Sequence, residues 1–187
     1  MNAEKNNAMG CAGADSVNAL RLGAARKRLA QSTGPEDAID GLREIVATFL
    51  GSEELGLFRV EGSANFRAFW SFGIDLREYD LLRALGEAGL GRVMRGEYHV
   101  ELAAGEGSAT MPKAQAFIPI RFANETIAIL AILRLLPQKL AFDGADMELF
   151  KLLSDEAAGP LFGPSLFGPG VPSADSKPVA GEPGVSA

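Results

Sequence analysis

The sequence predicts an α+β domain built as an antiparallel sheet with helices on one side. Three observations carry that expectation. Stretches near the start and the end repeat apolar residues at helical spacing. Between them lie pairs of apolar or alternating runs joined by short polar or glycine-bearing interruptions, as in hairpins. The order of helix, helix, strand pair, irregular middle, strand pair and helix lacks the regular strand–helix alternation of a doubly wound parallel sheet.

The elements follow in order. Residues 1–15 are small and polar and read as disordered, outside the domain at 16–162. From Ser16, which can cap, Val17, Leu20, Ala24 and Leu22, Ala25, Leu29 recur at helical spacing over 16–31. Arg26-Lys27-Arg28 on this helix reads as a solvated face rather than a binding patch. Thr33-Gly34-Pro35 ends it, and Pro35 starts a second helix. Its stripe is Ala38, Ile39, Leu42, Ile45, Val46, Phe49 and Leu50, closed by Gly51 as a left-handed cap. "LGLFRVE" (55–61) and "NFRAFWSFGI" (65–74) read as a hairpin. Residues 75–104 are less periodic and read as short helices, a glycine-punctuated turn and a brief strand "YHVEL"; a loop "AAGEGSATMPKA" follows. The hairpin 116–135, "AFIPIRFANETIAILAIL" and its continuation, is apolar on both faces, so it belongs at the sheet's centre. Terminal helices are expected behind it and the irregular middle in front. A last helix spans 144–162, and the tail 163–187, rich in glycine and proline, reads as disordered.

Composition narrows the function. The 187 residues are 47% hydrophobic and 22% charged, enough for one sizeable core. A net charge of −6 argues against a general nucleic-acid binder. The single cysteine, Cys11, fits a reducing cytoplasm and excludes an intramolecular disulfide framework. The N-terminal residues do not read as a secretory signal. The longest apolar run, Thr126 to Leu136, holds Arg134 and falls short of a membrane span, so no membrane insertion is expected.

Several segments together resemble the GAF family, sensory modules related in fold to PAS domains. The carriers are the amphipathic helix before "GSEELGLFRVE", then "GEAGLGRVMRGE", "AFIPIRFANETIAILAILRL" and "FDGADMELFKLLSDEAA", over about residues 17–162. The resemblance implies about six antiparallel strands, helices on one side and a loop-covered pocket on the other. It implies roles in signal transduction, ligand sensing, dimerisation or protein contact. The chain departs from the family at Ala128, where a small glycine is usual. The cyclic-nucleotide signature is not found. Cys11 lies outside the domain, so the cysteines of bilin-binding and sulfoxide-reducing members have no counterpart in the pocket. The given residues read as a stand-alone module, without an effector domain such as a kinase, that is expected to act on something else.

Candidate sites follow from residue types. Gly86, Gly89 and Gly91 have the wrong spacing for a dinucleotide fingerprint and read as a turn before a short helix. Glu97, His99 and Glu101 alternate on one strand, but a metal or haem site there is a weaker reading than an edge-strand histidine. Phe66, Ala68, Trp70 and Phe72 would share one strand face, with Arg67 and Phe69 opposite. That face reads as core, or alternatively as a pocket wall in which Trp70, Phe72, Phe117 and Pro119 meet a ligand and Arg92 supplies an anion contact. Leu20, Arg26, Lys27, Phe150 and Leu153 are the candidates for a partner or dimer surface on the terminal helices. No nucleophile elbow appears, and no catalytic residues, metal or cofactor are expected. The favoured reading is a non-enzymatic regulator acting on another signalling or scaffold protein in a bacterial signalling or motility complex, with a homodimer as one form. The alternative is a sensor of an unidentified small ligand, with a pocket between the sheet and residues 75–115.

Overall fold

A computed structural model of the chain describes residues 5–62, 65–77, 79–101 and 116–167, without the side chains of 5–14 and 164–167. The loop expected after residue 102 and most of the tail expected at 163–187 lie outside the described residues. Helix α1 (Lys5–Ala30) is followed by α2 (Pro35–Ile45), which runs into a π-helical turn, Val46–Leu50. Gly51 ends that turn in the left-handed conformation, φ 64°, as its place after the apolar stripe predicts. Next come β1 (Ser52–Val60), β2 (Phe66–Phe72), α3 (Leu81–Met94), β3 (His99–Val100), β4 (Ala116–Phe122) and β5 (Glu125–Leu135). Helices α4 (Gly144–Glu156) and α5 (Ala158–Phe167) close the described chain.

The strands form one antiparallel sheet in the order β2-β1-β5-β4-β3. Five strands are present among the described residues, against the six or so that the resemblance implies. The apolar hairpin β4–β5 lies inside the sheet, and both of its faces are covered. Ala116, Ile118, Ile120, Ala128, Leu130 and Ile132 pack under the helices with Leu42, Ile45, Phe150 and Leu153. Phe117, Ile129, Ala131 and Leu133 face the other way, against Leu76, Leu81, Leu85 and Val93. The turn between the strands is two residues long, with Ala123 and Asn124 both at positive φ, as a type I′ hairpin turn requires.

The structure differs from the predicted elements at two points. Helix α1 extends to Lys5, beyond the Ser16 start that the periodicity indicates. The last helix is two helices, not one. Pro160 cannot donate to the carbonyl of Glu156, where α4 ends, and its ring crowds that carbonyl. Within α3, Gly86 is non-helical at φ 62°, so the glycine-rich segment is a kink followed by a helical stretch, in keeping with the turn-and-helix reading.

Helix α1 is joined to α4 largely by polar contacts. Asn18 donates to Glu148 at 2.7 Å, and Arg26 grips Glu156 through Nε at 2.8 Å and Nη2 at 2.6 Å. Between them Arg21 reaches the fully buried Asp146 at 2.5 Å and the Phe49 carbonyl at 2.6 Å. Lys139 meets the second Asp146 oxygen at 2.7 Å, and the Asp143 amide donates to it at 2.9 Å in a reciprocal capping box. Burial raises the Asp146 carboxyl, but the bonds from Arg21, Lys139 and the Asp143 amide outweigh it, so its pKa falls below the usual aspartate value.

Two outcomes are expected. Leu130→Asp places an unpaired carboxylate at a fully buried position, costs several kcal/mol and abolishes the cooperative unfolding transition seen by circular dichroism. A soluble variant with wild-type melting would refute the central placement of the hairpin. The lowered Asp146 pKa means its contribution is complete above about pH 4 and is lost as pH falls through the depressed value. Asp146→Asn is therefore less stable than wild type by about 3 kcal/mol at neutral pH, and the gap narrows on acidification. Denaturant titrations at about pH 7 and about pH 3 read this directly.

Candidate functional site

The sheet face away from the helices is the one a ligand pocket would use. Gly56 on β1 lets the covering segment come close, since a Cβ there would lie 2.3 Å from Leu76 Cδ1. Leu76, Leu81 and Leu85 lie down on Phe58, Phe117 and Ile129, and the ring of Tyr79 sits 5.6 Å from that of Phe58. The middle of this face is occupied by the chain's own side chains. At its β2 edge a cavity of about 750 Å³ remains, between residues 65–71 and the segment 75–82.

Tyr79 is the unusual group in this cavity. Its hydroxyl is buried and has no hydrogen-bond partner. Burial raises its pKa above the ordinary tyrosine value, and the negative charges of Glu101 and Asp80 add to the effect. His99 on the edge strand β3 stacks on Phe117, with ring centroids 6.2 Å apart, and its Nδ1 is likewise buried without a partner. Glu97 does not join His99 and Glu101. It turns outward to Arg95 at 3.0 Å and Arg92 at 3.4 Å. No group of three or more metal-ligating side chains occurs among the described residues.

The sequence-predicted pocket residues are dispersed. Phe117 and Pro119 are buried in the sheet, and Phe117 is floor to the covered face. Trp70 and Phe72 instead pack toward the helix side, while Phe66 packs on the far face, where Ala68 pairs opposite Phe58. The cause is a bulge. Leu57 pairs with Trp70 and Phe58 with Ala68, which leaves Phe69 as an extra residue and reverses the alternation. Phe72 lies beneath Arg43, whose guanidinium carbon is 4.8 Å from the ring centroid. Arg92 is exposed and paired with Glu97, away from the covered face. Tyr79 was missed because residues 75–80 have no periodicity; a tyrosine amid charges gives no signal of burial.

The partner-helix candidates separate as well. Phe150 and Leu153 are fully buried in the core of this chain, so neither is available to another protein. Arg26 is held by Glu156, and Arg28 by Asp37 and Glu44, so most of the basic run serves contacts within the domain. Leu20 is 72% exposed, and Val17, one turn earlier, is 67% exposed. No helix among the described residues is long and apolar enough to cross a membrane.

The architecture is that of a GAF domain. A GAF domain from a phosphoenolpyruvate-protein phosphotransferase of Coxiella burnetii superposes with a TM-score of 0.58, at 16% identity over 80% of this chain and 95% of that one. The corresponding domain from Acinetobacter gives 0.55, at 17% identity over 80% and 95%. Residues 122 to 287 of a methyl-accepting chemotaxis protein give 0.51, at 14% identity over 76% and 97%. By sequence the chain matches no protein-family model and no curated relative. The shared property is the fold.

Because the Tyr79 hydroxyl is buried without a partner, Tyr79→Phe is expected to raise stability by about 1 kcal/mol. Chemical denaturation would measure the gain. A loss of similar size would reveal a partner for the hydroxyl.

Proposed function

We propose that the protein is a non-enzymatic regulatory module that works through protein contacts in a bacterial signalling or motility complex. The observation that carries this reading is the exposed apolar pair Val17 and Leu20 on α1, a helix whose other apolar residues, Leu22, Ala25 and Leu29, already pack into the domain core. Apolar side chains one turn apart on a helix form a stripe suited to a partner helix. The occupied centre of the far sheet face supports the same reading, since it leaves less room for a ligand there. The domains of like fold in phosphotransferases and a chemotaxis protein supply the signalling setting. The partner is another signalling or scaffold protein, or a second copy of this chain. Leu20→Glu removes the apolar contact without touching the core. Light scattering is expected to show self-association of the wild type that Leu20→Glu abolishes, or capture of a partner from the source cell that Leu20→Glu abolishes. A wild type that is strictly monomeric and captures nothing overturns the reading.

A second reading is small-molecule sensing at the β2 edge, favoured by the unpartnered Tyr79 hydroxyl beside a cavity of about 750 Å³. Trp70 on β2 borders that cavity, so its fluorescence reports occupancy. Emission unchanged across a broad metabolite panel counts against it.

A further inference from the structure

A second concavity lies on the other side of the sheet, where the residues after α3 approach α4. Its volume is about 550 Å³, and Arg121, Tyr98, Met147, Lys151 and Ser154 contribute to its walls. The hydrogen-bonding groups around it are unevenly used. The carboxylates have partners: Glu97 takes Arg92 and Arg95, Asp155 takes Arg121 Nη1 at 3.4 Å, and Glu148 takes Asn18 at 2.7 Å. Three donors do not. Ser154 is only 6% exposed, yet its Oγ has no hydrogen-bond partner, not even the helix carbonyl one turn back. Arg121 Nε is buried and unpartnered, although the guanidinium is packed so tightly that a Cβ on Gly96 would lie 2.7 Å from that nitrogen. Lys151 carries an ammonium with no ion pair among the described residues. A buried polar atom without a partner is unfavourable; the arginine and lysine groups here can only donate, and the serine hydroxyl can donate as well as accept. Beside them the Tyr98 ring, set edge-on against Phe150 with centroids 5.6 Å apart, stays 38% exposed, and the Met147 thioether adds apolar surface.

We propose that this cleft binds a small carboxylate with an apolar body, its oxygens accepting from Ser154 and Lys151, the Arg121 guanidinium adding positive charge to the wall, and its body lying on Tyr98 and Met147. The volume suits a molecule of metabolite size. The site stands apart from the cavity at β2 and does not rest on the α1 reading. Benzoate serves as probe, with methyl benzoate as the uncharged control, in titrations of the full-length chain followed by amide chemical shifts. Saturable shifts at Tyr98, Lys151 and Ser154 are expected with benzoate and absent with the ester. Ser154→Ala removes an unpartnered hydroxyl and Lys151→Met an exposed charge, so both variants are expected to fold. Each is expected to weaken benzoate by about tenfold, as loss of one hydrogen bond to a charged group does. Absence of shifts, equal binding of the ester, or unchanged affinity in both variants overturns the proposal.

Discussion

Asp146 is the side chain on which the arrangement of helices depends. A fully buried carboxylate is tolerated only when its charge is met, and here two cations and a backbone amide meet it. The cations come from distant places in the chain: Arg21 from α1 and Lys139 from the turn after β5. Arg21 also caps the Phe49 carbonyl in the π-helical turn. One carboxylate thereby fixes the start of α4, the approach of α1 and the end of the second helical segment. Removing any partner would leave a buried charge uncompensated, so these elements are held as a unit. The apolar contacts of Leu22, Ala25 and Leu29 then complete the seating of α1.

The sheet obeys a different constraint. The β4–β5 hairpin is apolar on both faces, so both must be covered, and the two covers differ in kind. Helices lie on one side with a continuous core. On the other, the irregular segment that carries Leu76 and Tyr79 and the helix α3 that carries Leu81 and Leu85 lie on the strands, the close approach of Leu76 being made possible by the bare backbone of Gly56. The methyl of Ala128 falls on the helix side, so this departure from the family's usual glycine adds to the core and does not obstruct the far face. What the fold leaves unused is peripheral: an apolar stripe on α1, a cavity at the β2 edge and a donor-rich cleft beside α4.

Much of the fold was legible because it depends on periodicity. The stripe ending at Gly51, the two hairpins and the double burial of residues 116–133 are all patterns of spacing, and spacing maps directly onto faces. The break between α4 and α5 is also written in the chain, at Pro160, but the apolar repeat that continues across it reads as one helix. The site was far less legible. Phe66, Trp70 and Phe72 obey strict alternation in the sequence, yet one extra residue at Phe69 sends them to different faces. Ile127 departs similarly: Arg121 pairs with Thr126 and Ile120 with Ala128, so Ile127 is the extra residue and packs with the helix-side core.

The sequence by itself determined the class of fold, the order of elements and the residues that must be buried, because hydrophobic burial at a fixed period is a local property of the chain. Only the tertiary structure decided which polar groups meet. Arg21 with Asp146, the isolated hydroxyls of Tyr79 and Ser154, and the separation of Phe150 from any partner surface all depend on residues far apart in sequence. Hydrogen bonds and ion pairs act over a few ångströms between groups whose proximity no local pattern encodes. The same side chains that read alike along the chain therefore became core, latch or open site only once the helices were set against the sheet.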